Sequence, residues 1–181
     1  MSATREQTLI ENCRNGETAA FGPLIKIYRK QLFSYLLKLC GNREDAEDLF
    51  QETLIKSWKG INKYSELQKF SSWLFTIAHN TAMDKLRKRN KENMITETEP
   101  DELSHTNDPH KELIGKEIKN KIQKAVELLP FKQKEVFLLR INSEMSFKEI
   151  AQVTNEPLNT VLSHMHYSVK KIKRLLWSEN E

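Results

Sequence analysis

The sequence predicts an all-α protein of two small helical domains joined by a flexible linker. Three observations lead there. Apolar residues recur at three/four spacing through most of the chain, and long β-rich runs are missing. Only 5 glycines and 5 prolines punctuate 181 residues, too few for a turn-rich β architecture. One stretch, Met94 to Pro109, is acidic, polar and broken by Pro100 and Pro109, with no helical period. It divides the chain into a unit at 1–93, a linker at 94–112 and a unit at 113–181. Each unit is near the lower size limit for a self-sufficient core. A hydrophobic content of 38% supplies enough apolar material to build both.

Four helices are expected in the first unit. One runs from about Thr4 to Arg14 and stops at Asn15-Gly16, a C-terminal capping signal. The second, about Thr18 to Cys40, carries Phe21, Leu24, Ile25, Tyr28, Leu32, Tyr35, Leu36 and Leu39 at helical spacing and stops at Gly41. The third, about Glu44 to Trp58, opens with acids, which suit the positive end of its dipole. A loop from Lys59 to Phe70 precedes the fourth, Ser71 to about Lys91.

The second unit opens with a helix from Leu113 to Leu128. Pro130 suits the first position of the next, which extends to about Ile141. Ser146-Phe-Lys-Glu149 is a capping box that starts a short helix carrying Phe147, Ile150 and Ala151 inward. Thr154 to Pro157 makes a turn in which Asn155 tolerates a left-handed backbone. A long helix, about Leu158 to Trp177, completes a helix-turn-helix pattern.

Charge and cysteine usage narrow the function classes. The net charge of +4 is modest, but its distribution is uneven. Lys85, Arg87, Lys88, Arg89 and Lys91 form one basic run, and Lys170, Lys171, Lys173 and Arg174 form another. Two such runs, each ending an amphipathic helix, point to nucleic acid. Cys13 and Cys40 make no CxxC and have no histidine at metal-ligand spacing, so buried free thiols in a reducing cytoplasm are expected, with no metal site, no disulfide and no cofactor. The N-terminus has no apolar h-region, and no long apolar run occurs, so a cytoplasmic protein that does not span a membrane is expected. Catalytic motifs are missing too. There is no HxE…PCxxC pattern and no glycine-rich phosphate loop, and His164 and His166 at i,i+2 splay apart on a helix.

Two helix faces carry the functional expectation. On the last helix, Leu158, Val161, Leu162, Met165, Val169, Ile172 and Leu176 form an apolar stripe, read as core. Thr160, Ser163, Tyr167, Lys170, Lys171 and Arg174 lie opposite, with His164 at the edge. Short hydrogen-bonding side chains come first, where a recognition helix meets base edges, and cations follow, where it passes phosphates. On the fourth helix, Leu74, Ile77, Ala78 and Thr81 point inward, and Thr76, Asn80, Met83 and Arg87 point outward. Tyr64, Phe70 and Trp73 lie just upstream and the basic run just downstream. Aromatics beside cations can hold unstacked bases along a charged strand, and asparagine can pair two-fold with a base edge. Taken singly each aromatic reads better as core, Trp73 included. The third helix, Glu44 to Trp58, is acidic on one side. That side suits a basic protein surface or water, and charge alone favours water.

Together these segments resemble the extracytoplasmic-function (ECF) group of bacterial RNA polymerase sigma factors over nearly the whole chain. The string from Asp45 to Thr53 is similar to that family's polymerase-clamp-binding helix, which implies a docking role for Asp45, Asp48, Leu49, Gln51 and Glu52 on the coiled coil of the β′ subunit. Under the resemblance this face meets protein rather than water. The string from Lys69 to Arg89 resembles the segment that melts and reads the minus-ten element. It implies roles for Tyr64, Phe70, Trp73, Thr76, Asn80, Arg87 and Lys88, with Asn80 at a flipped non-template base and the Tyr64 to Phe70 loop shaping its pocket. The segments Leu129 to Arg140, Ser146 to Val153 and Pro157 to Leu176 resemble the domain that reads the minus-thirty-five element and sits on the polymerase β flap. That implies DNA contacts from Arg140, Thr160, Ser163, His164, Tyr167, Lys170, Lys171 and Arg174. The chain departs from the family at Leu162, His164, Tyr167 and Val169, where cations are common, at Asn155 for the turn glycine, and at His79 for an arginine. The implied partners are core RNA polymerase through β and β′, promoter DNA and an anti-sigma protein. The implied activity is promoter-directed transcription initiation without catalysis by the chain itself. A helix-turn-helix repressor would instead use palindromic sites and need no polymerase.

Overall fold

The computed structural model describes residues 2–65, 69–95 and 113–177, the side chains at 2–4, 90, 92–95 and 113–119 excepted. The described residues are all-α, in two compact units, Met1–Leu103 and Ser104–Glu181. The division falls inside the expected linker at 94–112, of which residues 96–112 lie outside the described residues.

In the first unit α1 is Ser2–Arg14, α2 Thr18–Cys40, α3 Arg43–Gly60 and α4 Phe70–Ile95, with a single 3-10 turn at Ile61–Lys63. Two glycines end helices in the left-handed region, Gly16 at φ 89° after α1 and Gly41 at φ 84° after α2, where a Cβ would be strained. The Gly41 N–H closes α2 on the Leu37 carbonyl at 2.9 Å. Asn42 then starts α3 one residue earlier than its acids suggest. Its side chain accepts from the Asp45 N–H at 2.8 Å and donates to the Asp45 carboxylate at 2.6 Å. At its far end α3 runs on to Gly60, and the 3-10 turn shortens the expected Lys59–Phe70 loop.

The long α2 packs against α1, α3 and α4. Leu24, Leu32, Tyr35 and Leu36 from α2 meet Ala46 and Leu49 from α3 and Leu74, Phe75 and Ala78 from α4, all buried. Tyr35 and Phe75 stack edge to face at 5.5 Å. Truncating one of these leucines to alanine costs about 2–5 kcal/mol, a large share of what a unit of this size holds.

In the second unit α5 is Leu113–Glu127, α6 Phe131–Ser143, α7 Phe147–Thr154 and α8 Leu158–Trp177. Helix α8 packs on the other three, burying Val161 and Ile172 against a core that includes Val136, Leu138, Leu139, Met145 and Ile150. The capping box forms: Ser146 Oγ accepts from the Glu149 N–H at 3.2 Å, and the Glu149 carboxylate accepts from the Ser146 N–H at 2.7 Å. Asn155 takes the left-handed turn at φ 54°. Two expectations change. Pro130 is the residue before α6 rather than its first, with extended ψ of 145°, because its carbonyl accepts from the Lys134 N–H as the first helical bond. In α8, Leu158 and Leu162 are 37% and 41% exposed and leave the stripe, while Ser168 joins it. The buried line runs Val161–Ser168–Ile172, and Leu162 lies 100° around from Val161. Ser168 survives burial because its hydroxyl donates to a carbonyl, that of Gln133 at 3.0 Å or His164 at 2.7 Å.

Candidate nucleic-acid interface

The expected docking residues lie on α3, but they do not form one free acidic face. Asp48 is 68% exposed in its side chain, and Gln51 and Glu52 are exposed. Glu52 pairs with Lys56 at 2.8 Å one turn on, and the Lys56 ammonium also donates to Thr81 on α4 at 3.2 Å. Leu49 is a correction: at 1% exposure it belongs to the core and offers a partner nothing. Asp45 is largely occupied within the chain. It completes the Asn42 cap and pairs with Lys85 of α4 at 2.5 Å and with Arg89 at 3.7 Å. Lys85 also reaches Asp48 at 3.3 Å. Partial burial works against the Asp45 charge, but the bonds from Lys85 and Asn42 and the charge of Arg89 outweigh it and hold the carboxyl below its ordinary value. Lys85 mirrors this: desolvation opposes its charge, and its bonds to Asp45 and Asp48 raise it above the usual lysine value. These cross-helix pairs join residues 37 and more apart, and nothing in the local sequence announces them.

At the start of α4 the three aromatics cluster, with ring centroids 5.3–5.4 Å apart. Tyr28 of α2 adds a fourth ring 5.6 Å from Phe70. Tyr64 and Phe70 are buried, at 6% and 2% exposure, and Trp73 is half-buried. This corrects the expectation that Tyr64 and Phe70 present stacking faces. In this structure the two rings meet edge to face inside the cluster at the start of α4. Gly60 takes part in the same fit, since a Cβ there would stand 3.4 Å from the Trp73 ring. Of the Tyr64 to Phe70 loop, residues 66–68 lie outside the described residues.

Further along α4, Asn80 is exposed between His79 and Thr81, which are 2% and 1% exposed. His79 Nδ1 lies 3.0 Å from the Tyr35 hydroxyl, so this histidine is part of the interior. Thr76 is half-buried and its hydroxyl donates to the Ser72 carbonyl at 2.7 Å, leaving the oxygen as an acceptor. Arg87 and Lys88 are exposed, and Arg87 pairs with Asp84 at 3.2 Å. Asn80, Arg87, Lys88 and Lys91 lie along one outer edge at i, i+7, i+8 and i+11. Lys85 and Arg89 lie on the side turned to α3.

In the second unit the expected DNA set separates into two groups. Ser163, Tyr167, Lys170 and Arg174 are exposed along α8, and Thr160 is half-buried. The remaining three have partners within the unit, and Arg140 is exposed as well. Arg140 donates to the Met145 carbonyl and lies 5.0 Å over the Phe147 ring, fixing the α6–α7 turn. Lys171 donates to the Leu128 carbonyl at 2.7 Å, satisfying the end of α5. His164 lies 3.3 Å from Glu156, which pairs with Lys132 at 3.1 Å. Lys132 in turn pairs at 3.1 Å with Glu135, which burial pushes above the ordinary carboxyl value against the pull of Lys132. These contacts tie the turn before α8 to α6 and join residues too far apart for any local pattern to announce them. Burial also holds Lys134 below the usual lysine value.

Cys13 and Cys40 are buried free thiols, and burial raises both above the ordinary thiol value. Among the described residues no group of three or more His, Cys, Asp or Glu side chains could hold a metal, and no helix is long and apolar enough to cross a membrane.

The family model of sigma-70 region 2 matches residues 24–92, and that of sigma-70 region 4 matches residues 119–172. The chain is 27% identical over 180 residues to the ECF RNA polymerase sigma factor SigW of Bacillus subtilis (strain 168), covering 92% of this chain and 94% of that protein. It is 28% identical over 169 residues to the ECF RNA polymerase sigma-E factor of Haemophilus influenzae, covering 88% and 89%. Among solved structures, the sigma factor RpoE in complex with the anti-sigma factor NepR from Bartonella quintana shares the fold. The TM-score is 0.72 at 23% identity, over 86% of this chain and 96% of that one. CnrH in complex with the cytosolic domain of CnrY matches with a TM-score of 0.65 at 20% identity, over 95% and 97%.

Proposed function

We infer the roles of the surfaces from one premise: the chain belongs to the sigma-70 family, in its ECF group, and is a promoter-specific transcription initiation factor rather than an enzyme. We propose that the exposed edge of α3, Asp48, Gln51 and Glu52, docks on the coiled coil of the polymerase β′ subunit. The outer edge of α4, Asn80, Arg87 and Lys88, then takes the opened non-template strand at the minus-ten element, with Asn80 on a base and the cations on phosphates. The exposed face of α8, from Thr160 through Ser163 and Tyr167 to Lys170 and Arg174, reads the minus-thirty-five duplex, with the second unit resting on the β flap.

The observation that carries this reading is Asn80, a bonding amide held out to solvent between two buried neighbours. A buried flank on each side fixes the backbone, so the amide is presented rather than merely exposed. Capturing a flipped base must offset unstacking, about a few kcal/mol. Contacts from polymerase and anchoring of the upstream duplex help meet that cost, so the isolated chain binds promoters weakly. RpoE is found with an anti-sigma factor. A cytoplasmic protein held inactive by an anti-sigma partner fits the same reading.

The test is transcription in vitro with core polymerase on a genomic template library, the promoter preceding the chain's own gene included, with and without the chain. New start sites dependent on the chain are expected. Tight footprints of the purified chain on promoters without polymerase would overturn the division of labour.

A further inference from the structure

The ion pairs between α3 and α4 join the two surfaces just assigned. Lys85 reaches Asp45 at 2.5 Å and Asp48 at 3.3 Å, and Arg89 reaches Asp45 at 3.7 Å. Two cations of the basic run thus neutralise two carboxylates of the acidic helix. In the free chain the cluster carries no net charge, so neither a basic protein surface nor a phosphate backbone meets it as a full site. Its members are not equally fixed. Asp45 is tied to the Asn42 cap and is 25% exposed in its side chain, whereas Asp48 is 68% exposed. Half-exposed pairs of this kind are weak enough to exchange partners.

We propose that Lys85 is a positioning residue shared by both surfaces: it holds Asp48 in the free chain and passes to the DNA backbone when polymerase takes that carboxylate. The proposal rests on the docking and strand-capture roles given above for α3 and α4. When polymerase engages Asp48, Lys85 loses a partner and its ammonium becomes available to a phosphate one turn from Lys88. When a phosphate draws Lys85 away, Asp48 is freed for polymerase. The two events therefore favour each other, and by linkage each strengthens the other by the same factor. Lys85 keeps the chain from closing on either partner alone.

The experiment measures the affinity of the full chain for core polymerase, with and without a fork made from a promoter that responds in the transcription assay, duplex upstream and single-stranded on the non-template arm. For the wild type the fork tightens core binding. In Lys85→Met the tightening falls about fivefold, at the low end of couplings between sites, and core binding without DNA becomes about threefold tighter because a competitor for Asp48 is gone. Lys85→Arg restores the wild-type pattern. Lys91→Met removes an equal charge from the outer edge of the same helix and measures the general charge effect on DNA-free core binding. Arg89 reaches Asp45 and not Asp48, so Arg89→Met is expected to leave DNA-free core binding at the level of Lys91→Met. If Lys85→Met loses fork tightening but its DNA-free core binding does not exceed that of Lys91→Met, Lys85 is a plain phosphate contact and the proposal is overturned. Unchanged fork tightening overturns it as well. Failure of the wild type to join core polymerase at all would instead defeat the docking role itself, and the proposal with it.

Discussion

Replacing Ser146 by alanine tests whether the helix-turn-helix is built as described. Helix α7 has 8 residues, and the N–H groups of its first three, with that of Ser146 before it, have no backbone partner within the helix; the first helical bond runs from the Ile150 N–H to the Ser146 carbonyl. Ser146 Oγ takes the Glu149 N–H at 3.2 Å, and the substitution leaves that donor to water. The reciprocal bond from the Ser146 N–H to the Glu149 carboxylate, 2.7 Å, uses backbone and survives in part. The expected loss is about 1 kcal/mol, within the range of about 0.5–2 for cap removal. In a unit of this size that lowers the midpoint by about 4–8 °C. Calorimetry of the full chain should show the shift in one transition, with the other unmoved. Hydrogen exchange should place the lost protection on α7 and the start of α8. Ser146→Thr retains the hydroxyl and should recover most of the loss. A midpoint within about 1 °C of wild type, or Ser146→Thr behaving like Ser146→Ala, would mean that the Ser146 hydroxyl does not cap α7.

Three further outcomes follow from the same geometry. Asp45 is held below its ordinary value, so its contribution to stability is fully present above the unfolded carboxyl value and is lost as pH falls through the lower folded one. The stability difference between wild type and Asp45→Asn, read from urea midpoints, should be level near neutrality and shrink below about pH 4. Lys170 is exposed and Lys171 is committed to the Leu128 carbonyl. Lys170→Met should therefore lower the salt slope of holoenzyme binding to an upstream duplex by about 1, while Lys171→Met leaves the slope alone and costs about 1 kcal/mol of stability. Asn80→Ala should slow open-complex formation, measured by permanganate reactivity, by about 5- to 100-fold, the worth of one bidentate base contact.

What the sequence made legible was local. The bounds of α2, the stops at Gly16 and Gly41, the capping box and the left-handed Asn155 each follow from residues within one turn of each other. Helical period also separated buried Leu74 and Ala78 from exposed Asn80 and Arg87 along α4. Failures came where the deciding neighbour lies far along the chain. Leu49 sits among docking-type residues, but the core it fills is made by α2 and α4. Tyr64 and Phe70 read as platforms until Tyr28 and Trp73 are seen to surround them. Arg140 and Lys171 each also satisfy a backbone carbonyl, a partner that the local sequence does not announce. Leu158 and Leu162 fit the apolar stripe by period, but α8 turns a polar residue, Ser168, to its packed side because a carbonyl of α6 is there to receive it. An exposed cation and one that caps a helix look alike in sequence, because the distinction lies in the partner.

The central claim is that the N-terminal unit joins core polymerase through the exposed edge of α3. The direct measurement is equilibrium binding of the purified full chain to core enzyme, wild type beside a double Asp48→Ala, Gln51→Ala variant whose two side chains are exposed and outside the core. A stoichiometric complex is expected for the wild type and a loss of at least about tenfold in affinity for the variant, the scale of central interface residues, with its thermal unfolding unchanged. A wild-type chain that does not bind core polymerase, or a variant that binds as well as the wild type, contradicts the claim.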